Sequence, residues 1–180
     1  MIKEVFNELL QSDLVTNKTK EVLKQRIDQT YAPVFFSAEE FKLLTSVCNH
    51  LVAQNDNHLV DVAGNIDNRL HQKTGPGWRY DILPPEGISY KTGLKGIQES
   101  AILSSGKDFT ALSEKEKNNL LKEVQQGNGK GETWKSFSGK RFFELILTET
   151  AEHFYSHPNA QAEINYTGFA DAKGWQVPDL

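Results

Sequence analysis

The chain has 180 residues, 38% of them hydrophobic and 24% charged, which is enough to build a core without disulfide or metal staples. Twenty Lys and Arg against twenty-four Asp and Glu leave a net charge of −4, and this excludes a general binder of nucleic acid or anionic membrane, whose phosphates need a basic field. A single cysteine, Cys48, excludes an intrachain disulfide and any zinc or iron–sulfur site built on several cysteines.

The pattern is helical almost throughout. Ile2, Val5, Phe6, Leu9 and Leu10 recur at helical spacing, and a second helix is expected near residues 17–31, with Leu23, Ile27 and Tyr31 on one face and Pro33 ending it. Residues 1–32 are therefore expected as a helical extension before a main domain over 33–180. Ser37-Ala-Glu-Glu40 is a capping box ahead of the stripe Phe41, Leu44, Cys48, Leu51 and Val52. Leu59, Val62, Ala63, Ile66 and Leu70 give the next apolar face. Residues 74–89, with three prolines and three glycines breaking the period, are expected as a long ordered loop.

Tyr90, Leu94, Ile97 and Ala101 resume the helical period. A second capping box, Ser113-Glu-Lys-Glu116, precedes Leu120, Leu121 and Val124, and Gly127-Asn-Gly-Lys-Gly131 stops that helix. The longest helix is expected from about Thr133 to Tyr155, with Phe143, Ile146, Leu147, Thr150 and Phe154 on one face. Pro158 is expected to close it and 159–180 to be irregular, with no strand pattern anywhere. The fold class predicted is all-α, a single-domain bundle of about five to seven helices with an irregular C-terminal segment.

Few residues are arranged for chemistry. Glu149, His153 and His157 are spaced one helical turn apart and form a weak candidate metal set. The zinc-protease pattern, though, needs Glu directly after the first His, where this chain has Phe154. His50 and His58 flank the Asn55-Asp-Asn57 turn with no carboxylate at ligand spacing and read as solvated. Glycines 127–131 lack the spacing of a phosphate loop and read as a connector. Cys48 falls on an apolar stripe and reads as a core thiol. The residues alone thus describe a helical domain with no catalytic constellation, no catalytic residue and no cofactor site.

Four segments together add a resemblance. Phe35-Phe-Ser-Ala-Glu-Glu-Phe-Lys-Leu-Leu44 resembles the F-S/T-x-x-E-x-x-x-L helix of the gluconate 2-dehydrogenase subunit 3 family, and Asp61-Val-Ala-Gly-Asn-Ile-Asp-Asn-Arg-Leu70 resembles its G-V-x-x-F-I-D-x-x-L stretch. Phe109-Thr-Ala-Leu-Ser113 with Leu120-Leu121 is similar to F-x-x-L-S/T followed by a leucine pair. Phe142 to Pro158 is similar to the F-F-x-L-x-x-x-T-x-E-G-F/Y-F/Y-S-x-P block, with His153 in place of the family glycine. The segment after Pro158 departs from the family, and only Tyr166-Thr-Gly-Phe169 is similar to its terminal turn.

The resemblance implies a non-catalytic accessory subunit. Its expected partner is a large flavoprotein dehydrogenase of the glucose–methanol–choline class acting on sugars or sugar acids, with FAD on that partner and a cytochrome subunit as a possible third member. The partner-facing residues expected are Tyr155, His157, Tyr166 and Phe169, aromatic groups of the kind that anchor interfaces. Two other readings stay open: a free-standing helical interaction protein that has lost the dehydrogenase, and a metal enzyme built on Glu149, His153 and His157. Met1 to Leu10 is interrupted by Lys3, Glu4 and Glu8 and has no apolar signal core. No apolar run reaches the ~18 residues a membrane helix needs. The expected location is therefore the cytoplasm, or the periplasm if a partner carries the chain out or the sequence is a mature form.

Overall fold

A computed structural model describes residues 7–8, 10–54, 58–75, 82–164, 166, 169–171 and 174–176. Among them are eight α-helices: α1 Asn17–Asp28, α2 Ala38–Leu51, α3 Val62–Gln72, α4 Glu86–Ser105, α5 Glu114–Gln126, α6 Thr133–Ser136, α7 Gly139–Tyr155 and α8 Pro158–Glu163. A 3-10 turn, Phe109–Ala111, lies between α4 and α5, and residues 7–8 and 10–11 are also helical. The fold is all-α apart from one small hairpin, β1 Phe169–Asp171 with β2 Gly174–Gln176, antiparallel with Ala170 opposite Trp175.

The residues fall into two compact units. The central unit is residues 31–151, and the terminal unit combines 1–30 with 152–180. The N-terminal residues 1–30, expected as an extension, share a unit with the C-terminal residues 152–180.

Local chemistry explains the helix boundaries. At α2, Ser37 accepts from the Glu40 N–H (3.2 Å) and Glu40 accepts from the Ser37 N–H (2.9 Å). At α5, Ser113 and Glu116 form the same reciprocal pair, with the Ser113 N–H 2.8 Å from the Glu116 carboxylate. Each box satisfies two amides that the helix itself cannot. Gly127 ends α5 at φ 82°, in the left-handed region where glycine lacks the Cβ penalty.

Several expected boundaries are corrected. α1 stops at Asp28, so Tyr31 lies beyond the helix. The expected loop over 74–89 already turns helical at Glu86, behind Pro84 and Pro85, because proline fits just before a helix as well as in a loop. Residues 76–81 of that expected loop lie outside the described residues, as do 1–6 of the first expected helix. The single helix expected from Thr133 to Tyr155 is two, broken at Phe137, whose backbone is extended (φ −132°, ψ 127°). Pro158 opens a helix instead of leaving an irregular tail. It occupies the first turn of α8, where its missing N–H costs nothing, and His157 caps it by accepting from the Asn159 N–H (3.2 Å). The hairpin escaped the sequence reading because three-residue strands are too short to show alternation.

The central unit is organised around α4, which packs on α2, α5, α6 and the 3-10 turn. Its buried positions include Tyr90, Gly93, Leu94, Gly96, Ile97 and Ala101. Gly93 and Gly96 let aromatic rings reach the helix backbone: a Cβ at Gly93 would lie 2.3 Å from Phe142 ring atoms, and one at Gly96 would sit 2.5 Å from the Trp134 indole. Phe142 meets Tyr90 edge-on at 6.0 Å and Phe137 at 5.8 Å, which makes one aromatic cluster. The α3 face is as expected, with Val62, Ala63, Ile66 and Leu70 buried. We predict that Gly93→Ala overpacks this contact and lowers stability by about 2 kcal/mol, read as a lower urea midpoint with an unchanged slope.

Candidate functional site

The polar interior of the central unit gathers around Arg69 of α3. Its guanidinium donates through Nε and Nη2 to the two oxygens of Glu149 on α7, the second bond being 2.9 Å, and through Nη1 to Glu86 at 2.8 Å. The Tyr90 hydroxyl of α4 also donates to Glu149. Three helices are thereby tied through one planar, bidentate fork, a geometry that arginine can make and lysine cannot. Burial alone lowers the tendency of Arg69 to hold its proton. The hydrogen bonds and charge of Glu149, then those of Glu86, outweigh burial and raise its pKa. Burial, with the Glu149 charge adding to it, raises the Tyr90 phenol well above its ordinary range.

A second buried carboxylate has a backbone role. Asp67 accepts from the N–H groups of Val34 (2.8 Å), Phe35 (3.1 Å) and Phe36 (3.0 Å) and so fixes the turn that enters α2. Phe35 then lies over Gly87, with the Lys91 ammonium 5.0 Å from its ring centre. Among the described residues, every buried side-chain nitrogen and oxygen has a hydrogen-bond partner. Cys48 is a core thiol as expected: it is fully buried, accepts from the Thr150 hydroxyl (3.4 Å), and burial pushes its pKa up to about 12.

The candidate metal set is not assembled. No group of three His, Cys, Asp or Glu able to hold a metal occurs among the described residues. Glu149 is engaged by Arg69 and Tyr90, while His157 faces the Arg26 carbonyl through Nε2 (2.9 Å) and caps α8 through Nδ1. The solvated reading of His50 is also corrected. Its side chain is only 6% exposed, with Nδ1 at 2.7 Å from Glu114 and Nε2 at 2.9 Å from the Asn118 side-chain oxygen. His58 is exposed, but its Nδ1 accepts from the Asn49 amide at 2.9 Å.

The terminal unit holds the residues expected to face a partner. α1 packs on α8, Arg26 donates to the Ser156 carbonyl (3.3 Å), and Asp171 accepts from the N–H (2.6 Å) and hydroxyl (3.0 Å) of Thr16. Beside this closed side, Tyr155 is 56% exposed, Ile164 63% and Tyr166 41%. His157 is partly buried, with its Nε2 2.9 Å from the Arg26 carbonyl. The Phe169 backbone lies in β1, and its side chain is outside the described residues.

Family comparison agrees with the resemblance read from the sequence. The family model described as Gluconate 2-dehydrogenase subunit 3 matches residues 38–171. The chain belongs to the gluconate 2-dehydrogenase subunit 3 family. Neither a curated protein nor a solved structure matches it. The subunit 3 match covers all of α2 to α8 and leaves α1 outside. Within it, Asp67 and Arg69 fall in the segment quoted for the family resemblance, yet their roles were missed. The available signal was a charge set between core positions: Asp67 and Arg69 between Ile66 and Leu70, and Glu149 between Ile146 and Thr150.

Two predictions follow from these geometries. Arg69→Met leaves Glu149 buried beside Tyr90 without its cation and costs about 3 kcal/mol. Arg69→Met with Glu149→Leu recovers most of that loss, as measured by chemical denaturation. His157 has a pKa lowered by burial, opposed by its bond to the Arg26 carbonyl and aided by the Arg26 charge. The unfolded chain therefore takes up a proton, near the ordinary pKa of about 6.5, that folded His157 resists. The associated stability is complete above that pH and is lost as pH falls below it. Urea unfolding at pH 7.5, 6.5 and 5.5 should show this decline, and His157→Asn, which keeps a capping oxygen, should flatten it.

Proposed function

We propose that the chain is a non-catalytic accessory subunit that binds and stabilises a large flavin-dependent dehydrogenase subunit of the glucose–methanol–choline class. The observation that carries this reading is the exposure of three large side chains of the terminal unit, Tyr155, Ile164 and Tyr166. These residues lie within or directly before the end of the segment matched to the subunit 3 family. Tyrosine at such a surface offers a rigid apolar body and a polar tip, the combination that anchors protein interfaces at small entropic cost.

The disposition of the polar groups supports a binding role. Glu149, Tyr90 and Arg69 are engaged with one another, and the Cys48 thiol is held protonated by burial, so these groups stabilise the fold rather than meeting a substrate. In this reading FAD resides on the large subunit, a cytochrome subunit accepts its electrons, and the chain works in the cytoplasm or is carried out with its partner.

Capture of the flavoprotein subunit by the tagged chain in co-expressing cells tests the proposal. Tyr155→Ala with Tyr166→Ala should weaken association by about 2 kcal/mol, roughly thirtyfold, with melting temperature unchanged because both side chains are exposed. Undiminished capture by the double variant overturns the assigned surface. A wild-type chain that captures no flavoprotein overturns the accessory role and favours a free-standing protein.

A further inference from the structure

One face of α2 lines an open groove of about 480 Å³ within the central unit. Ala38, Phe41, Lys42, Thr45, Ser46 and Asn49 supply one wall, a run of about 16 Å along the helix. His58, Thr110 and Lys117 supply the rest. Among the described residues lining it, two are lysines and none is a carboxylate, on a chain whose net charge is −4. Its charged lining residues are cationic, although Lys117 is paired with Glu114, and Glu39, Glu40 and Asp108 share with Lys42 and Thr110 an adjoining pocket.

The hydrogen bonding of these residues leaves donor capacity among the side chains that line the groove. Asn49 donates to His58 Nδ1 (2.9 Å), which assigns the ring proton to Nε2, and Gln54 holds the Asn49 oxygen at 2.9 Å. The Thr45 hydroxyl is engaged with the Phe41 carbonyl (2.8 Å). Lys117 is only 9% exposed, and its ammonium meets Glu114 at 3.1 Å, which leaves further N–H groups on the same nitrogen. Glu114 is in turn held by His50 at 2.7 Å, so the position of Lys117 is supported from behind. Lys42, Ser46 and Thr110 add an ammonium and two hydroxyls. A nearly buried lysine is costly unless its charge is compensated, and Glu114, half-exposed and shared with His50, compensates only one side.

We propose that this groove binds a small phosphate-bearing ligand, its oxyanion held by Lys42, Ser46, His58, Thr110 and Lys117 and its body lying toward Phe41. Five donor groups from four separate segments exceed what the two oxygens of a carboxylate can use and suit the three or four oxygens of a phosphate. The volume is that of a small-molecule site rather than of a macromolecular interface. This inference is independent of the accessory role, since the groove is in the central unit and Tyr155, Ile164 and Tyr166 are in the terminal one.

The test is titration of the full chain with inorganic phosphate, with glycerol 3-phosphate, and with acetate at matched ionic strength, followed by the ring resonances of His58 and by calorimetry. Saturable His58 shifts with both phosphates and not with acetate are expected. Binding should fall at least tenfold in Lys42→Gln and in Ser46→Ala, two changes at solvent-reached positions that leave the core intact. Tighter binding of the ester places its body in the groove; equal binding assigns the site to the free ion. Absence of saturable shifts, an equal response to acetate, or unchanged binding in both variants overturns the proposal.

Discussion

A guanidinium placed among three helices constrains the central unit more than any other contact. Arg69 on α3 is held by Glu149 on α7 and Glu86 on α4, with Tyr90 of α4 closing on the same Glu149 carboxylate. Its charges are mostly removed from water, so removing one partner leaves the other without compensation in a low dielectric. The aromatic cluster depends on the same register. Tyr90 presents its hydroxyl to Glu149 and its ring to Phe142, so α7 meets α4 through a polar and an apolar contact made by one residue. Close approach of these helices is possible because Gly93 leaves room for Phe142, and Gly96 does the same for Trp134.

Around that constraint the remaining polar groups act on backbone and loops. Asp67 gathers three consecutive amides of residues 34–36, and Gln54 accepts from the Val60 N–H (3.1 Å) while donating to the Val60 carbonyl (2.8 Å). In the terminal unit, Asp171 and His157 hold Thr16 and Arg26 in the same manner. Each is a side chain supplying a partner to backbone groups in a loop or at a helix end. These four side chains thus act on the fold.

The helical faces were legible in the sequence wherever period and cap coincided. Ser37–Glu40 and Ser113–Glu116 announced α2 and α5, and Tyr90, Leu94, Ile97 and Ala101 announced α4, because these signals are local. Proline was ambiguous. Pro158 and Pro85 were read as breakers, although proline is equally at home at a helix start, and only the neighbouring cap at His157 separates the two cases. The interior charge pairs were not legible, since Arg69 and Glu149 are eighty residues apart and periodicity carries no information on which charge meets which. His50 was misread for the same reason: its partners, Glu114 and Asn118, belong to another helix. The family resemblance was carried by short blocks in order, and the match over 38–171 agrees with it.

Buried charges hold the helices of the central unit, and the proposed function assigns the exposed aromatics of the terminal unit to a partner. Amide hydrogen exchange of the chain, alone and mixed with the large flavoprotein subunit, tests that assignment most directly. Exchange should slow on mixing over residues 152–166, while the amides of α3, α4 and α7 around Arg69, Tyr90 and Glu149 keep the rates they have in the free chain. Protection centred on the Arg69 cluster, with none over 152–166, would contradict it.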